Sequence, residues 1–175
     1  LLYAQLLEEQ DLPPESREYV SALEHQAEKL RFLIDALVKT SRLESGVLAM
    51  TPKRHGIQQL LDAASAQAAP GAEAKAITLT VEPTDLTARF DPKWTAEALY
   101  NLVDNAVKYT PAGGAVTLRA VGYELFCRVD VTDTGPGIPE SEQARIFQRF
   151  YRSPSASEAE GVGIGLYLAR QIAAG

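Results

Sequence analysis

Four short segments in the second half of the chain, in fixed order, restrict its fold more than any other feature. They are Asn101-Leu102-Val103-Asp104-Asn105-Ala106-Val107-Lys108-Tyr109, Asp133-Thr134-Gly135-Pro136-Gly137, Phe147-Gln148-Arg149-Phe150 and Gly161-Val162-Gly163-Ile164-Gly165. A G-x-G-x-G alone would arise by chance in roughly one chain of this size in twenty. The ordered set is far rarer, and together the segments mark a ligand site.

The remainder supplies two kinds of scaffold. Over residues 15 to 45, Val20, Leu23, Ala27, Leu30, Ile34, Leu37 and Ser41 recur at alternating spacings of three and four. That is the seam of one long helix that wants a partner helix. Leu1 to Glu9 read as the end of a preceding helix, and Asp11-Leu12-Pro13-Pro14 as the turn between the two. Ser45-Gly46 stops the second helix, which places a boundary near residues 45 to 55.

Beyond it the pattern becomes α/β. A helix is expected at about 57 to 69, ending at Pro70-Gly71, and strands at 77 to 81 and 87 to 90. Asp91 as N-cap and Pro92 at the first helical position open a helix to about Tyr109. Strands near 115 to 121 and 126 to 132 follow as a hairpin. A short helix at about 140 to 147, a polar stretch from Ser153 to Glu160 and a helix entered through the glycines close the chain. The polar stretch reads as a surface loop, with a second role as a lid left open.

With 175 residues, 46% of them hydrophobic, the chain can bury a substantial core. No apolar run approaches the ~18 residues that span a bilayer, and the start at Leu1 lacks both an initiator Met and a charged signal head, which suggests a fragment. A formal charge of -6 argues against nucleic acid as a partner. Cys127, in an alternating apolar run, reads as a reduced core thiol. His25 and His55 read as ordinary surface residues.

On the helix ending at Tyr109, Asn101, Asn105 and Lys108 lie at i, i+4 and i+7 and share one face. Amide oxygens beside a lysine suit a triphosphate that brings its own Mg²⁺, an ion that prefers oxygen ligands and is held jointly by protein and phosphate. A solvated polar stripe would show the same spacing. Asp133 closes a strand before Gly135 and Gly137, which permit close ligand approach. An ionised Asp only accepts hydrogen bonds, so it could take the amino group of adenine and would repel the carbonyl of guanine. An ordinary Asp-Gly turn is the alternative.

Gly161, Gly163 and Gly165 open a helix whose bare amides can hold phosphate. Tight helix-on-sheet packing would also explain them. Phe147 and Phe150 read as core anchors, and Arg149 between them could reach a terminal phosphate.

These segments resemble the N, G1, F and G2 boxes of two-component sensor histidine kinases. The heptad helix, ending in Ser41-Arg42-Leu43-Glu44-Ser45-Gly46, resembles the second helix of that family's dimerisation and phosphotransfer domain. The resemblance implies an α+β chain. Residues 1–45 would be a partial helical hairpin that dimerises into a four-helix bundle; residues 46–175 would be an α/β sandwich of Bergerat type that binds ATP, without its C-terminal strands.

It also implies Asn105 as Mg²⁺ ligand, Asp133 as adenine reader and the glycines as lid hinges and phosphate cradle. Asn101, Lys108 and Tyr109 become nucleotide contacts, with Gly135, Gly137, Ile138 and Leu166 lining the site, and Asn101, Lys108 and Arg149 are the candidate catalytic set. ATP-hydrolysing relatives of the gyrase, MutL and Hsp90 type carry a Glu at the place of Asn101 to activate water, which an amide cannot do.

The implied partners are a second copy of the chain, through helix 15–45, and a response-regulator receiver domain. The implied location is cytoplasmic, with membrane contact only through regions outside this chain. Two features depart from the family: no His-Glu-x-x-Thr-Pro-like phosphoacceptor box is present, and Val162 replaces a common Thr or Ser. A non-catalytic nucleotide-binding interaction module and an ATPase of the same fold are the rival readings.

Overall fold

The computed structural model describes residues 13–44, 50–153 and 162–174. The expected first helix, the Asp11-Leu12 part of the turn, the Ser45-Gly46 stop, the polar stretch from residue 154 onward and Gly161 lie outside them. The chain divides into two compact units, Leu1–Val47 and Leu48–Gly175.

In the first unit, α1 (Pro14–Glu44) is one continuous helix of 31 residues. Along its seam Leu23, Leu30, Ile34 and Leu37 are 47–67% exposed. A helix with so much apolar surface in water gains by pairing with another.

The second unit contains two small sheets with helices packed on them. β1 (Lys53–Gly56) pairs antiparallel with β3 (Thr87–Phe90), Lys53 opposite Phe90. β2 (Thr78–Val81) runs parallel to β4 (Ala115–Gly122), which pairs antiparallel with β5 (Cys127–Asp133) in the expected hairpin. In β2, β3 and the first half of β4 burial alternates residue by residue, so these strands bury one face.

Onto that face pack α2 (Ile57–Ala74) and α3 (Pro92–Tyr109). Ile57, Leu60, Leu61, Ala64, Ala68 and Ala72 of α2 meet Leu99, Val103, Ala106 and Val107 of α3, with Val116 and Leu118 of β4 beneath. The short α4 (Glu140–Gln143) and α5 (Gly165–Ala174) complete the unit, and α5 packs against α3.

Several sequence expectations need correction. α2 does not end at Pro70 but runs through it to Ala74. Pro70 removes one helical donor, yet stopping there would forfeit the burial of Ala72, which is 2% exposed. β1 was not anticipated, because Lys-Arg-His-Gly carries no apolar alternation. His55 within it is half-buried rather than on the surface, with its ring centroid 5.5 Å from that of Phe90. Cys127 is free but only half-buried, at the rim of the core, where desolvation raises its pKa. The helix expected over 140 to 147 shortens to α4, followed by turns.

The start of α3 is as its sequence predicts. Asp91 Oδ1 accepts from the amides of Lys93 (3.0 Å) and Trp94 (3.1 Å), and Pro92 occupies the first turn. The other carboxylate oxygen, Oδ2, accepts from the amide of Thr51 at 3.0 Å, tying the entry of the second unit to this helix.

Candidate functional site

The second and fourth segments meet the first at α3, and the third is joined to the fourth. The buried side of α3 is Val103, Ala106 and Val107, which leaves Asn101, Asn105 and Lys108 half-exposed on another face. Asn101 is locked: its Nδ2 donates to the carbonyl of Glu97 at 2.8 Å. Its Oδ1 faces the first residue of α5, where a Cβ on Gly165 would stand 2.7 Å away. A Cβ here would force the Asn101 side chain to shift, and the contact joins the first segment to the fourth.

Asn105, by contrast, is half-buried and has no side-chain hydrogen bond among the described residues. Its amide oxygen remains available to a ligand. Lys108 Nζ lies 5.6 Å from the ring centroid of the exposed Tyr109. Desolvation raises the pKa of Asp104, against the opposing effects of Lys108 and a hydrogen bond from Tyr100.

The second segment abuts the C-terminal end of the same helix. Asp133 closes β5 opposite Val116, and its Oδ1 accepts from the amide of Gly135 at 2.8 Å, fixing the turn. A Cβ on Gly135 would lie 3.2 Å from the carbonyl oxygen of Tyr109. Asp133 therefore stands at the strand end beside Tyr109, with its carboxylate exposed. Gly137 takes a φ of +73°, a value that favours glycine. Ile138, 45% exposed, offers apolar surface next to it.

The third and fourth segments are joined through the backbone. The amide of Phe150 donates to the carbonyl of Gly163 at 2.9 Å, and Gly163 has a φ of +73°. Any Cβ on Gly163 would collide with the main chain of Phe150 and Tyr151. Phe147 is half-buried, but Phe150 is not the core anchor expected of it. It is 52% exposed, because a φ of 61° turns the chain toward Gly163 and the side chain outward.

Arg149 Nη2 donates to Tyr167 Oη at 2.8 Å, and its Cζ lies 4.7 Å from the Tyr167 ring centroid, so this guanidinium is held against α5. Ile164 is buried and Leu166 half-buried at the start of α5.

One participant escaped sequence reasoning. Lys75, just after α2, donates through Nζ to the carbonyls of Val107 (2.9 Å) and Lys108 (2.8 Å) at the end of α3. Its partners lie 32 and 33 residues away, so no local pattern exposes it. Thus α3 carries two amides and a lysine, with a carboxylate beyond one end and Gly165 against its middle. Chemically, this can present an acceptor to a base, an amide oxygen to a cation and bare main-chain amides to phosphates.

Known proteins resemble this chain over most of its length. Residues 90–175 match the family described as histidine kinase-, DNA gyrase B-, and HSP90-like ATPase. Over 173 residues the chain is 32% identical to the sensor protein CreC of Escherichia coli (strain K12), covering 97% of this chain and 36% of CreC. It is 35% identical over 150 residues to the adaptive-response sensory kinase SasA of Synechococcus sp. (strain JA-3-3Ab), covering 84% and 40%. The crystal structure of full-length ShkA in complex with AMPPNP superposes with a TM-score of 0.80 at 30% identity, covering 98% of this chain and 36% of ShkA. The chain therefore spans little more than a third of the length of these relatives.

Proposed function

Residues 90–175 belong to the histidine kinase-, DNA gyrase B- and HSP90-like ATPase family, in its two-component sensor histidine kinase branch, and from that premise we propose a function for the chain. It is the ATP-binding catalytic portion of a sensor histidine kinase, which passes the γ-phosphate of ATP to a histidine elsewhere in the intact protein and then to a response-regulator aspartate. The observation that carries this reading is the meeting at α3 of Asn105, of Gly165 against Asn101, and of the Asp133–Gly135 turn against Tyr109. The AMPPNP complex of ShkA supports the same reading.

In this account Asp133 accepts from the adenine amino group. Asn105 offers its amide oxygen to a Mg²⁺ that arrives with the triphosphate, and that ion would supply charge neutralisation to the transferring phosphoryl group. Lys108 adds positive charge, Tyr109 and Ile138 flank the base, and Gly137 lets the chain turn beside it. Gly161, Gly163 and Gly165 hold phosphate through main-chain amides, with Leu166 at the base of the cradle. Arg149 is assigned to the terminal phosphate. Asn101 cannot deprotonate water, which favours transfer over hydrolysis.

We place residues 1–45 in a dimerisation hairpin and residues 46–175 in the catalytic domain. The exposed seam of α1 supports pairing with a second copy. No described helix is long and apolar enough to cross a membrane; any anchor would lie in other segments of a sensor whose catalytic part works in the cytoplasm.

The test is to incubate the full-length protein with γ-labelled ATP and Mg²⁺. Acid-labile, base-stable label on the protein, passed on to a receiver domain and lost in N105A, supports the kinase. Steady phosphate release without protein label would support an ATPase. Nucleotide binding with neither would support an interaction module.

A further inference from the structure

We propose that Lys75 is a positioning residue for the adenine end of this site, an inference that rests on the nucleotide-binding reading above. The argument begins with the helix end. The last carbonyls of any α-helix lack intrahelical partners. In α3 the carbonyl of Ala106 is satisfied by the Thr110 amide. The next, Val107, would look to residue 111, which is Pro111 and has no N–H. Lys75 Nζ fills this vacancy and the one at Lys108, at 2.9 and 2.8 Å. A cation there also complements the negative end of the helix dipole.

Lys75 grips the loop beyond the helix as well. Its own carbonyl accepts from the amide of Gly113 at 3.0 Å, so one residue holds both α3 and the turn that leaves it. The next carbonyl after the two it binds is that of Tyr109, whose oxygen would stand 3.2 Å from a Cβ on Gly135. Gly135 in turn donates to the Asp133 carboxylate at 2.8 Å. Lys75 thus sets the position of the Tyr109 carbonyl, and that carbonyl sets where the Asp133 turn sits. It lies outside the four segments and outside residues 90–175, and is none of the nucleotide contacts assigned above.

The test compares K75M, which keeps the aliphatic stem without the donors, with K75R, which keeps the charge and donors, and K75Q as a milder second variant. In the nucleotide-free chain, amide hydrogen exchange at Thr110, Gly113 and Gly135 should accelerate at least tenfold in K75M and return toward wild type in K75R. Val116 and Leu118 of β4 should be unchanged. ADP affinity should fall about tenfold in K75M, less in K75Q, and recover in K75R.

Unchanged exchange at the three amides would overturn the proposal, as would equal acceleration across β4, which would mean general loosening. ADP binding in K75M equal to wild type would also overturn it. Failure of the wild-type chain to bind ADP would instead contradict the nucleotide reading, and the exchange data would still decide whether Lys75 holds the turn.

Discussion

Gly165 sits against the side chain of Asn101 so closely that a Cβ would stand 2.7 Å from Oδ1, and Asn101 is held there by its bond to the Glu97 carbonyl. Because Gly165 is also the first residue of α5, two effects compete in G165A. Alanine gains up to about 1 kcal/mol of helix propensity over glycine, whereas forcing a methyl into a filled space costs about 1–3 kcal/mol. The prediction is a sign reversal. G165A should destabilise the wild-type chain by about 1 kcal/mol or more and stabilise an N101A background by a few tenths or more, as read by urea denaturation of the four chains of the cycle.

Asp91 and Asp104 should affect stability in opposite directions with pH. Asp91 has its pKa lowered from the ordinary 3.8, chiefly by the Thr51 amide and then by those of Trp94 and Lys93. Its stabilisation is fully present above 3.8 and is lost as pH falls through the lower folded value. Asp104 has its pKa raised from 3.8, chiefly by desolvation. Its contribution is present below 3.8 and is lost as pH rises through the higher folded value. D91N should flatten the stability curve on the acid side of 3.8, and D104N on the other side. D91A should lose about 1 kcal/mol near neutral pH as well, because the cap disappears.

Pro70 is exposed and lies inside α2, where it supplies no donor to the helical ladder. P70A restores that donor and removes a clash worth ~3 kcal/mol in an unadapted helix, against an unfolded-state entropy gain of ~1 kcal/mol. Thermal melting should show P70A more stable by about 1–2 kcal/mol.

The seam of α1 should be a pairing surface. Sedimentation of the wild-type chain should show a dimer, and L30E, which puts a charge on that seam, should sediment as a monomer with the catalytic unit still folded. A monomeric wild-type chain would contradict the assignment.

Much of this was legible because it is local. The capped start of α3 at Asp91-Pro92, the β4–β5 hairpin and the one-faced placement of Asn101, Asn105 and Lys108 follow from spacings within a few residues. What was not legible depends on distant partners. Pro70 looks like a stop until the burial of Ala72 is known, and Phe150 looks like a core residue until its left-handed backbone turns it out. Lys75 looks like one more surface lysine, because the carbonyls it holds belong to a helix more than thirty residues on. The spacing of the glycines leaves ligand approach and tight packing as alternatives; in the structure Gly135 and Gly165 lie against the protein's own Tyr109 and Asn101.

The most direct test of the nucleotide site is calorimetric titration of the chain with ADP, ATP and GTP, with and without Mg²⁺, alongside D133N. A hydrogen bond to a charged acceptor is worth roughly 1.5–3 kcal/mol, or about ten- to a hundredfold in affinity. The account predicts that ADP and ATP bind, that GTP binds at least tenfold more weakly, and that D133N loses about tenfold or more for ADP. A folded chain that binds no nucleotide, or that binds GTP as well as ADP, would contradict it.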